Sequence, residues 1–237
     1  MPGRLNVQFK KKNILVVLQT LITSSGGQGQ SYRAIFEALL DRGRFEKDTS
    51  MTSSLYFKDT SSRMDECQTE QIGFAERWGM LSGGHRLEVS TPVISDIFQQ
   101  GLCLLSGVEL LLKFWRARPA FYIMTQEADP QYKVEVVSAR LRVRKRTPQP
   151  SVTLAINSAL ELSPAMYPML RCEVRQFLIQ AGSFSFNFER MFESQVPAIL
   201  CMAFTTARAC AGDYKLNPFN FVHANLENLI GSRPPPT

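Results

Sequence analysis

Residues Tyr132–Arg146 place the tightest constraint on any fold this chain can adopt. Val134 and Val136 occupy even-numbered positions, whereas Leu141 and Val143 occupy odd ones. Successive side chains of a strand point to opposite faces, so one regular strand would send these two pairs to opposite sides of a sheet. One extra residue, a β-bulge near Val137–Ala139, restores a single inward face. The expectation is a strand with irregular pairing at 137–139 and with Leu141 and Val143 buried. Arg140, Arg142, Arg144 and Arg146 then line the solvent face, with Lys145 beside them. Such a row of cations can contact nucleic-acid phosphates. No aromatic residue interleaves with it to stack bases, and a solvated face or an inter-subunit ion-pair surface is the plainer reading.

Other apolar runs also read as strands. Val108, Leu110, Leu112 and Phe114 alternate with a set that is itself half apolar, which predicts a strand covered on both faces. Phe121–Met124 reads as a short strand, Leu170–Arg175 as a half-exposed one and Ile199–Phe204 as a buried one. Near the start, Lys10–Lys12 precede Ile14–Leu18 and small residues follow. That order mimics a secretory leader, but the apolar run is short and Gln19 and Thr20 break it, so a strand ending in a Ser-Ser-Gly-Gly turn is preferred. No run approaches the ~18 apolar residues of a membrane span.

Two helices are legible. Tyr32, Ile35, Phe36, Leu39 and Leu40 share a helical face, with Ser31 as its cap and Gly43 at its end. Val152, Ala155, Ile156, Ala159 and Leu160 share another, punctuated by Pro150, Ser151 and Pro164. Residues 44–100 are polar and glycine-containing, and read as an elaborated loop with short strands. The segment Thr147–Tyr167 reads as a connector between domains.

The chemistry-bearing residues are sparse. With two histidines in 237 residues a multi-His metal site is all but excluded. The five cysteines have no C-x-x-C spacing. Cys103, Cys172 and Cys201 lie in apolar runs where a thiol acts as a small hydrophobe, which points to a reducing intracellular compartment, cytoplasm or nucleus. Gly27 and Gly29 lack the third glycine of a dinucleotide loop, and neither a P-loop nor a G-x-S-x-G elbow is present. Cys210, Asp213 and His223 contain the residue types of a thiol triad, but nothing in the sequence places them together. Asp65-Glu66 reads as solvated loop. The expectation is a non-enzyme: no catalytic, cofactor-binding or metal residues, no cofactor, no evident small-molecule substrate and no membrane partner. The formal charge of +6 is spread evenly over both halves and permits polyanion binding without requiring it.

An ordered set of segments goes further. It includes Tyr32–Leu40, Tyr56–Thr60, Met64-Asp65, Asp96–Gln100, Leu105–Leu110, Pro130–Val134 and Pro150–Val152. Tyr167-Pro168 with Arg171–Arg175, and Asn217–Phe221 with His223 and Asn225, are its strongest members. In this order and spacing the chain resembles the double jelly-roll (hexon-type) capsid proteins of Maverick/Polinton elements and adintovirus-like viruses, found as uncharacterised animal proteins. The resemblance covers about residues 15–230. It implies a mainly β fold with inserted helices, a partial double jelly roll of antiparallel sheets that looks truncated at both ends. The implied division is 1–14, a basic start without family counterpart; 15–146, a partial first roll; 147–167, a helical connector; 168–230, the start of the second roll; and 231–237, a proline-rich tail. The resemblance implies a structural capsid protein of a Polinton/adintovirus-like element, or a truncated endogenous relic of one. Its partner would be itself, as a trimer or shell, with contact to viral DNA and a place in the virion for an intact member. The alternative is a host-adopted nucleic-acid-binding module using the Arg140–Arg146 face.

Overall fold

Strand β1, Pro2–Phe9, lies between β3, Arg86–Pro92, and β5, Val134–Arg140, in a three-stranded antiparallel sheet. The computed structural model describes residues 2–9, 15–16, 29–40, 42–99, 101–167, 172–183, 185–187, 198–225 and 227. The β1–β3 ladder ends at the pair Pro2↔Pro92, where neither residue has an N–H to extend it. Between β1 and β5 the register jumps: Asn6 pairs with Ser138 and Val7 with Val136, leaving Val137 as the extra residue. The irregular pairing falls within the stretch 137–139 where it is expected.

The bulge does not carry the inward face further. β5 stops at Arg140, paired with Arg4. Leu141 is 49% and Val143 61% exposed, contrary to the expected burial. A second small sheet joins β2, Leu15–Val16, to β4, Ile123–Met124. That agrees with a strand in the run after Lys10–Lys12; Ile14, Val17 and Leu18 lie outside the described residues.

Helix α1, Gly29–Leu40, turns Tyr32, Ile35 and Ala38 inward at helical spacing. Ser31 lies inside it rather than capping it. Gly43 is the N-cap of the short helix α2, Arg44–Asp48, which a 3-10 turn at Ser50–Ser54 follows. That turn closes on Leu55, whose positive φ of 62° is tolerated because its side chain fills the core. Helix α3, Ile72–Leu81, buries Phe74, Arg77 and Leu81 on one face. The polar stretch 44–100, expected to be a loop, therefore supplies two helices, the 3-10 turn, β3 and a helical turn, α4, at Asp96–Gln99.

The centre of the core is Phe121–Met124, four consecutive residues each 2% exposed or less. The chain passes from a helical turn, α5 (Pro119–Tyr122), into β4, so successive side chains leave in different directions. Phe121 enters an aromatic cluster with Tyr32 and Phe219. Tyr122 and Ile123 enter a second cluster with Leu55, Leu81 and Val89, and Met124 meets Phe74 in a third. Burying four such side chains stabilises by roughly 6–12 kcal/mol, comparable with the net stability of a domain.

Several expected strands are absent. Residues 108–114 form none; Val108, Leu110, Leu111, Phe114 and Trp115 are exposed, since no second sheet covers them among the described residues. Ile199–Phe204 is exposed at Ile199 and Leu200 and makes one bridge, Phe204 to Val222. Leu170 and Arg171 lie outside the described residues, and Cys172–Arg175 carry no strand. Cys103, Cys172 and Cys201 are exposed rather than packed as small hydrophobes. Helix α6, Pro150–Leu162, has the expected limits, with Pro150 in its first turn, yet buries no residue. Residues from both sides of it meet in the aromatic cluster, where Phe219 packs on Tyr32 and Phe121. Among the described residues more are helical than lie in strands.

Candidate interaction surfaces and the cleft beside Trp78

Every residue from Arg140 to Arg146 is exposed, so Arg140, Arg142, Arg144, Lys145 and Arg146 all reach solvent. Only Arg140 belongs to β5. The others lie on a segment without regular structure, so strand alternation does not align them, and Leu141 and Val143 share their exposure.

The buried polar groups hold segments together. Arg33, 6% exposed, donates from Nε to Glu37 Oε1 at 2.7 Å and from a terminal nitrogen to Gln99 Oε1 at 2.7 Å, and pairs with Asp96 at 2.6 Å. Gln99 in turn donates to Glu37 at 2.7 Å, so α1 and α4 are stitched by one planar guanidinium. Burial works to lower the Arg33 pKa, but its hydrogen bonds to the Glu37 and Asp96 carboxylates raise it above the usual arginine value. On α3, Arg77 donates to the Phe57 carbonyl at 3.0 Å and pairs with Asp59. Asp59 sits against Gly73, where an added Cβ would lie 3.1 Å from the Lys58 carbonyl oxygen. Burial pushes the Asp59 carboxyl up, against the pull of Arg77.

Asp65, expected in solvated loop, is instead a long-range clamp. It accepts from the Asn217 backbone N–H at 2.6 Å and from the Asn220 side chain at 2.7 Å. Asn217 itself accepts from Phe219 N–H at 2.9 Å, turning Phe219 into the aromatic cluster. The thiol, carboxylate and imidazole of Cys210, Asp213 and His223 are not assembled. Cys210 packs on the aromatic cluster, Asp213 accepts from Arg208 at 2.6 Å, and His223 pairs with Asn225 at 3.1 Å. Among the described residues no group of His, Cys, Asp and Glu is arranged to hold a metal ion, and no helix is long and apolar enough to cross a membrane.

One cleft of about 500 Å³ opens between α3 and the residues that follow β4. Phe74 and Trp78, four residues apart on α3, form one wall with Met124 and Cys67. Thr125, Gln126 and Glu127 form the polar side. Burial pushes the Cys67 thiol up, so it is a neutral wall atom rather than a nucleophile. Helical spacing on α3 was the available signal for this wall; the reading of 44–100 as loop obscured it.

No protein-family profile matches the chain. Among curated proteins it is similar to an uncharacterised protein of Caenorhabditis elegans, 23% identical over 214 residues. That alignment covers 89% of this chain and 49% of the relative, so the chain spans about half the length of the curated relative it matches. No solved structure matches.

Proposed function

We propose that this chain is a structural shell protein of the capsid type, built on part of a double jelly roll and acting through contacts between subunits. The observation that carries this reading is the distribution of apolar surface. Leu102, Val108, Leu111, Phe114, Leu141, Val143, Leu154, Leu162, Leu178 and Ile199, among others, are exposed on segments spread along the chain. Apolar side chains exposed on so many segments leave surface on which other polypeptide can pack. The buried polar groups described above are spent on joining segments, which suits a protein whose work is mechanical. In this reading the protein acts without a cofactor, on copies of itself, in a reducing intracellular compartment, and in the virion for an intact member.

The exposed cations from Arg140 to Arg146 favour nucleic-acid contact as a second reading. One preparation tests both. The purified chain is examined by mass photometry and negative-stain electron microscopy, and by gel shift on DNA at 50 and 200 mM salt. Trimers or larger ordered assemblies support the shell reading. DNA binding that falls steeply with salt and vanishes on R140A/R142A/R144A, from a protein that stays monomeric, replaces it with the second.

A further inference from the structure

The cleft beside Trp78 has a feature that neither reading uses. Glu127 is the one charged side chain among its described lining residues, in a chain whose net charge is +6. Glu127 lies on the exposed rim of the cleft, and its carboxylate and backbone are each tied by a hydrogen bond. The Tyr132 hydroxyl donates to Oε1, and the Glu127 backbone N–H donates to Thr125 Oγ1 at 3.2 Å. Tyr132 belongs to the main core with Leu81 and Val134, so the carboxylate is tied to a buried part of the fold. Burial and the neighbouring Glu127 push the Tyr132 phenol up to about 12, so it remains a hydrogen-bond donor well into the alkaline range. Across from this acid stand an indole, a phenyl ring, a thioether and a neutral thiol. The volume suits a small ligand or a single long side chain.

We propose that this cleft binds a primary alkylammonium group, as a free amine or as the side chain of a lysine in another polypeptide. The methylene chain lies against Phe74, Met124 and Cys67. The ammonium sits at Glu127, with the negative face of the Trp78 ring adding attraction. An anion is repelled by Glu127, and a neutral alkyl chain gains nothing from it.

Trp78 is its own reporter. The chain has two tryptophans, and W115F leaves Trp78 alone. That variant is titrated at fixed ionic strength with n-hexylammonium, with n-hexanol and with Nα-acetyl-lysine methylamide, following indole emission. The expected result is a saturable change for hexylammonium at a concentration about two- to fivefold below hexanol, a gap that shrinks as salt rises. E127Q keeps an oxygen to accept from Tyr132 and should abolish the gap. Equal or tighter binding of the lysine derivative assigns the site to a lysine side chain, and weaker binding assigns it to a free amine. Absence of a saturable change, or equal affinity for hexanol and hexylammonium in the W115F protein, overturns the proposal. Because the alcohol comparison and the salt series need no change at Glu127, the test stands even if E127Q fails to fold.

Discussion

Asp65 shows how much one side chain can do when it joins distant parts of a chain. Its two oxygens hold Asn217 and Asn220, more than 150 residues away, and so seat Phe219 against Tyr32. Charge-assisted hydrogen bonds of this kind contribute about 1.5–3 kcal/mol each. D65A is expected to destabilise by about 2–4 kcal/mol in urea unfolding, and D65N, which keeps one acceptor, by less; equal losses would show that the bonds contribute little. Gly73 is a second such point, since G73A drives a methyl group against Asp59 and Lys58 and should cost about 1–3 kcal/mol. Asp213 contributes to acid behaviour. The Lys215 backbone N–H, then Arg208, hold its carboxyl below the usual range against a smaller opposing effect of burial. An acid depressed in the folded state adds stability that is present above the unfolded value near 4 and is lost as pH falls through the folded one. D213N should therefore flatten the decline of melting temperature below about pH 4 and leave the rest of the profile parallel. A decline unchanged by D213N would place the acid sensitivity elsewhere.

Among the elements, α6 and α3 are opposites. α3 seats Phe74, Arg77 and Leu81 in the interior, whereas α6 buries nothing along thirteen residues and exposes Val152, Leu154, Leu160 and Leu162. A helix of that length without packing is marginal in water. Hydrogen exchange on the isolated chain should find α6 amides close to unprotected and α3 amides protected by the global stability. Under the shell reading, α6 gains protection when subunits assemble. L154Q should then change monomer stability by no more than about 0.5 kcal/mol while weakening assembly. Protection of α6 equal to that of α3 in a monomer would show that the helix is already packed.

For the whole molecule, exposed apolar segments set the behaviour in solution. Ile199 and Leu200 lie in an uncharged, proline-free run, 81% and 49% exposed. Leaving these partly exposed side chains in water forfeits roughly 2–4 kcal/mol of transfer free energy, which association recovers. The isolated 237-residue chain is expected to elute from size-exclusion columns as aggregate or mixed oligomer. I199D/L200D should shift it toward monomer without moving its thermal transition, because neither residue belongs to the core. A soluble wild-type monomer with one sharp, reversible transition would remove the main support for the shell reading.

Local pattern determined those features whose physics is local. Helical spacing placed α1 and α6 and prolines set the limits of α6, while the irregular pairing expected near Val137–Ala139 is present although Leu141 and Val143 are not buried. It also held a signal left unused: Leu5, Val7 and Phe9 alternate with Arg4, Asn6 and Gln8 in the segment that became the central strand β1. Tertiary structure alone decided which apolar runs are covered. Phe121–Met124 and Ile199–Phe204 are both apolar, yet the first is the hub of the core and the second faces water, because burial depends on what arrives from elsewhere in the chain. The clamp of Asp65 on Asn217 and the cleft between α3 and Glu127 have the same origin. Each joins groups far apart in sequence, and no local periodicity encodes such a meeting.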